Sequence, residues 1–92
     1  MSYLSYRGLL DVELFHGEHR TALAGLNGLF EQRMVWTYAL LVEGDHGAAT
    51  HVRVRLPAGE VIAGHVTYSK PGTLIFSTHN EFGDAVRMPD DA

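Results

Sequence analysis

The sequence predicts a mainly β protein, a small antiparallel barrel or sandwich of about six or seven short strands. Three observations predict it. Apolar and polar residues alternate over short runs, the period of a half-buried strand. Turns rich in glycine and proline separate those runs at short, even spacing. At 92 residues, the chain has room for one domain, residues 1–92, with one core.

The first strand signal is Leu10-Asp11-Val12-Glu13-Leu14-Phe15, followed by a turn at His16-Gly17-Glu18. Residues 19–33 support two readings. Leu23, Leu26, Phe30 and Met34, at spacings of three and four, fit one face of a short helix. Gly25 and Gly28 would each weaken that helix by ~1 kcal/mol. Alternatively, Asn27-Gly28 supplies the positive-φ pair of a tight hairpin turn. Residues 34–42 read as a central strand with two apolar faces: Met34, Trp36, Tyr38, Leu40 and Val42 on one, Val35, Thr37, Ala39 and Leu41 on the other. Glu43-Gly44-Asp45-His46-Gly47 is a loop.

His51-Val52-Arg53-Val54-Arg55-Leu56 alternates strictly, and Pro57-Ala58-Gly59 provides a three-residue turn. That turn sets the return strand in register, with Val54 opposite Ile62, Val52 opposite Gly64 and His51 opposite His65. Ile62, Val66 and Tyr68 then join Val52 and Val54 inside. Lys70-Pro71-Gly72 turns the chain into an apolar strand over residues 73–78. A further turn at Asn80-Glu81-Phe82-Gly83-Asp84 precedes a short edge strand at residues 85–88, and residues 88–92 read as a loose acidic tail.

Leu56-Pro57-Ala58-Gly59-Glu60-Val61-Ile62-Ala63-Gly64-His65-Val66, continuing to Leu74-Ile75-Phe76, resembles the first motif of the Sm-like RNA-binding small barrels. The resemblance covers about a quarter of the chain and implies a bent-strand barrel that binds RNA or DNA as an oligomer. SH3-like barrels share the pattern for the same geometric reasons. Lys70 stands near a position that is usually acidic in the Sm-like family, and that family's second motif is not evident. An analogy of architecture does not carry function with it.

Composition removes several classes of chemistry. There is no cysteine, hence no disulfide, zinc–thiolate site or thiol catalysis. A net charge of -4 argues against a general polyanion binder. No apolar run reaches the ~18–20 residues of a membrane helix, and the N-terminus lacks a basic segment followed by an apolar stretch, so the expectation is a cytoplasmic protein without membrane contact (in a host cytoplasm, were it phage-encoded). No cofactor is expected: Gly25-Leu26-Asn27-Gly28 lacks the lysine and helix of a phosphate loop. Nor is there a recognisable set of nucleophile, base and orienting group. Gly44-Asp45-His46-Gly47 holds an Asp–His pair without a nucleophile, which argues against an enzyme.

Three groups of residues remain as candidate sites. His51 and His65 face each other on one outer surface and His79 falls on the next strand, so the three imidazoles are a candidate metal set. Solvated histidines on a polar face are the bland alternative. Arg53 and Arg55 share that surface with His51 and form a basic stripe suited to phosphates or to an acidic protein. Asp11, Glu13, Asp84, Asp90 and Asp91 are its acidic counterweight. Trp36 and Tyr38 alternate on one strand, where core packing competes with a stacking platform.

The leading expectation is a non-catalytic interaction module that works through protein contacts as an inhibitor or accessory subunit. Two alternatives are an oligomeric small barrel binding RNA or DNA along Arg53 and Arg55, and a small-ligand or metal-binding protein using the histidine face. Homo-oligomerisation is expected from unpaired outer strands on a small core.

Overall fold

A computed structural model describes residues 3–90. Six strands form: β1 (Ser5–His16), β2 (His19–Met34), β3 (Thr37–Val42), β4 (His51–Arg55), β5 (Val61–Lys70) and β6 (Thr73–Ser77). They close into an antiparallel barrel in the order β1-β2-β3-β6-β5-β4. The mainly β expectation holds in its barrel form. The chain makes two three-stranded meanders, β1-β2-β3 and β4-β5-β6. Two seams join them: β1 pairs with β4, and β3 with β6.

Alternation selects what lies inside. Leu10, Val12 and Leu14 of β1 point inward with Phe30, Leu40, Val52, Val54, Leu74 and Phe76, each at most 3% exposed. Each such side chain contributes roughly 1.5–3 kcal/mol on burial. No polar or charged side chain is buried among the described residues. Tyr38 joins this interior from β3. Its ring stacks on Phe30 (5.4 Å between centroids) and Phe76 (5.7 Å).

The β4–β5 hairpin has the expected register, with Val54 opposite Ile62, Val52 opposite Gly64 and His51 opposite His65. Gly59 closes its turn at φ +100°.

Elsewhere the structure departs from expectation. Residues 19–33 are neither a helix nor a hairpin but part of one continuous strand, paired to β1 along its length and to β3 over Gly28–Met34. Asn27 and Gly28 lie mid-strand. The reversal occurs earlier, at Gly17-Glu18, between the opposed His16 and His19. Residues 34–42 are not one strand, because Val35 and Trp36 form a tight turn between β2 and β3. Tyr68 faces outward, 52% exposed, because a bulge between Val66 and Tyr68 reverses the alternation of β5.

Residues 85–88 are not a strand. Ala85 makes one bridge to His79, and the Val86 amide donates to the Thr78 carbonyl. The tail is not loose over residues 88–90: Met88 is 6% exposed and Asp90 is bonded to Arg53. Asp91 and Ala92 lie outside the described residues.

Closure also removes the premise for edge-to-edge association, since every strand has a neighbour on each side. No helix of the described residues is long and apolar enough to cross a membrane.

Candidate functional site

Strict alternation in β4 sends Val52 and Val54 inward and His51, Arg53 and Arg55 outward, as the sequence predicts. The outcome depends on the neighbouring strand. The β1–β4 seam sets Arg55 opposite Asp11 and Arg53 opposite Glu13, so each cation meets a carboxylate residue in register. Arg53 is the more constrained. Its Nη1 donates to Glu13 Oε1 (3.1 Å) and to Asp90 Oδ2 (3.0 Å), and its Nη2 donates to Asp90 Oδ1 (2.8 Å). Its guanidinium lies over the buried Phe15 ring, 5.3 Å from the centroid. Glu13 also pairs with Arg20 at 3.1 Å. The hydrogen bonds that Arg53 donates to Asp90 raise its pKa above the ordinary value despite some desolvation. The same hydrogen bonds hold Asp90 below the usual carboxylate range. In the expected basic stripe, Arg53 is therefore already taken up by two carboxylates, while the Asp11 carboxylate opposite Arg55 accepts from the Gly25 amide (3.0 Å).

Of the three candidate metal histidines, two come together. His51 and His65 are directly opposed on β4 and β5, with ring centroids 6.5 Å apart at 58°. His51 Nδ1 lies 3.0 Å from Thr50 Oγ1. Burial, with the neighbouring His65 second, lowers the His51 pKa from 6.5. His79 goes elsewhere. It stacks on Trp36 at 4.7 Å, and its Nδ1 lies 2.7 Å from Thr78 Oγ1. Among the described residues, no three His, Cys, Asp or Glu side chains form a group able to hold a metal ion.

Trp36 and Tyr38 do not share a platform. Tyr38 belongs to the interior ring stack, whereas Trp36 sits in the β2–β3 turn at one rim of the barrel. There the Trp36 carbonyl accepts from the Thr78 amide (2.9 Å). Its ring lies between His79 and the backbone of Gly83, where an added Cβ would stand 3.3 Å from Trp36 Cη2. Met34, Val35 and Trp36 are all exposed and line a shallow groove with His79 and Asn80.

Phe82, next to the Gly83 that approaches Trp36, is 81% exposed. The loop that carries it is tied to itself. Asn80 Oδ1 accepts from the amides of Phe82 (2.9 Å) and Asp84 (3.0 Å), and the Asn80 amide donates to the Asp84 carbonyl (2.8 Å). The sequence predicts a turn at Phe82 and says nothing of what covers its ring. A large ring in the middle of a five-residue polar turn was the available signal.

Comparison of the chain with protein-family models, curated proteins and solved structures finds no match.

Proposed function

We propose that the protein is a non-catalytic interaction module that binds another protein through the rim formed by Met34, Val35, Trp36 and Phe82, acting as an inhibitor or accessory subunit. One observation carries this reading: Phe82 is held out in solvent by a hydrogen-bonded loop whose Gly83 approaches the exposed Trp36. Leaving such rings in water forgoes the stabilisation of burial. Aromatic anchors near the centre of an interface carry much of its affinity, and a preordered loop reduces the entropy lost on binding. Glu81 and Asp84 flank Phe82, which suits a partner with a basic border around an apolar pocket. The pairing of Arg53 with Glu13 and Asp90 counts against a phosphate-binding role for that residue.

The test is capture from native lysate, with nucleic acid retained, using wild type and the Val35→Ser/Phe82→Ser double variant. Both side chains are exposed, so the melting temperature should fall by no more than about 4–8 °C, the shift for two surface changes of up to about 0.5 kcal/mol each. A protein retained by wild type and lost from the variant supports the reading. Equal retention by both, or salt-sensitive retention of RNA alone, overturns it.

A further inference from the structure

We infer that His51 and His65 form a two-imidazole site for a borderline divalent transition-metal ion such as Ni²⁺, Cu²⁺ or Zn²⁺. The site is independent of the apolar rim. It is narrower than the three-histidine set expected from the sequence, because His79 is committed to Trp36 and Thr78.

Four features support it. The two histidines are direct cross-strand partners in β4 and β5, so their positions are set by backbone pairing rather than by loop geometry. Directly opposed residues have Cβ atoms roughly 4.5–5.5 Å apart, which lets two side chains converge on one ion. At Zn–N distances of ~2.0–2.1 Å, two imidazoles on a tetrahedral ion have ring centres roughly 5 Å apart. The observed 6.5 Å separation therefore closes by roughly 1–2 Å through side-chain torsions, which are soft for the imidazole ring.

The second feature is an outer support for His51. Metal-binding histidines usually donate their other ring N–H to a fixed acceptor. His51 Nδ1 has one in Thr50 Oγ1 at 3.0 Å. That oxygen is itself anchored, 3.1 Å from the Phe15 carbonyl and 3.0 Å from the donating Gly17 amide. With the Thr50 hydroxyl hydrogen directed to Phe15, its oxygen accepts from Nδ1–H. Nε2 is then left with its lone pair towards the outside.

Third, the nearest cation does not repel an incoming metal. Arg53 is the next outward residue on β4, and Glu13 and Asp90 neutralise it. Fourth, both imidazoles are half-buried and therefore reachable from solvent. Imidazole suits nickel, copper and zinc, and the remaining coordination positions would be filled by water. An ion held between β4 and β5 binds the folded state alone, so it raises the melting temperature as its concentration rises.

The experiment is a Ni²⁺ titration of the full chain, followed by melting temperature and by histidine ring signals in NMR. One saturable site per chain is expected, with paramagnetic broadening greatest at His51 and His65 and a rise in melting temperature. His51→Gln and His65→Gln should each weaken binding by at least about tenfold, the scale on which metal sites respond to altered ligation. His79→Gln and the paired His16→Gln/His19→Gln variant should retain wild-type affinity. The broadening pattern locates the site in the wild-type chain without relying on any variant. Absence of saturable binding, broadening centred on His16 and His19, or binding that survives His51→Gln/His65→Gln would overturn the assignment.

Discussion

Gly59 of the β4–β5 hairpin and Gly28 of the β1–β2 hairpin serve opposite purposes, although each hairpin also holds a glycine of the other kind. Gly17 turns β1 into β2 at φ +66° with open space around it, and a Cβ on Gly64 of β5 would run into the Ser77 backbone of β6. In β4–β5, Gly59 supplies a backbone angle of φ +100° at a turn, and a Cβ added there would meet nothing within 4 Å. In β2, Gly28 supplies room. A Cβ there would stand 2.6 Å from both the Leu41 carbonyl oxygen and Val42 Cγ1 of β3. Gly28 also pairs with Gly8 on its other side, so β1, β2 and β3 cross at a point with two glycines in register. A turn glycine is replaceable at the cost of local strain, whereas a packing glycine holds three strands at their spacing.

That distinction orders the expected effects of substitution. Of these two, Gly28→Ala should be the more damaging, lowering stability by about 2–3 kcal/mol in chemical unfolding, because a backbone oxygen cannot move aside as a side chain can. Gly59→Val should lower it by about 1–2 kcal/mol, from backbone strain alone. If Gly59→Val proved the more costly, the contrast between the turn glycine and the packing glycine would collapse.

The smallest effect concerns pH. Burial, with His65 second, depresses the folded-state pKa of His51 below its ordinary value of 6.5, so its contribution is fully present above that pH and is lost as pH falls through the folded value. Melting temperature should therefore decline on acidification below 6.5, and less steeply in His51→Gln. Identical profiles for the two proteins would show that the β4–β5 pair does not sense protons.

The β4–β5 hairpin was legible because local signals and tertiary structure agree there. Its alternation is strict, and Pro57-Ala58-Gly59 determines the register. In β2 they conflict. Asn27-Gly28 has the chemistry of a turn, but pairing on both sides of Gly28 overrides it. The Val35-Trp36 turn contains neither glycine nor proline, so counting by twos ran through it and placed Trp36 beside Tyr38. The bulge before Tyr68 is likewise invisible to periodicity.

In the candidate sites, the opposition of His51 and His65 could be read from one turn. The loss of the Arg53 stripe could not. It depends on Glu13 and Asp90, 40 and 37 residues away in the chain, which only barrel closure and the path of residues 85–90 bring close. Phe82 was within reach of the sequence, because a bulky apolar residue inside a polar turn has nothing local to cover it.

The two-meander topology also bears on how the molecule forms. Within each meander, successive strands meet through short turns. The β1–β4 seam joins Glu13 to Arg53, and the β3–β6 seam joins Thr37 to Ser77. Residues 43–50 alone link the two halves. The entropy of closing a long loop precedes any gain from these distant pairings, so hairpins assemble readily while the seams wait. This topology favours folding by docking of two meanders. The Arg53–Glu13 ion pair lies on one of the two seams that such docking would close.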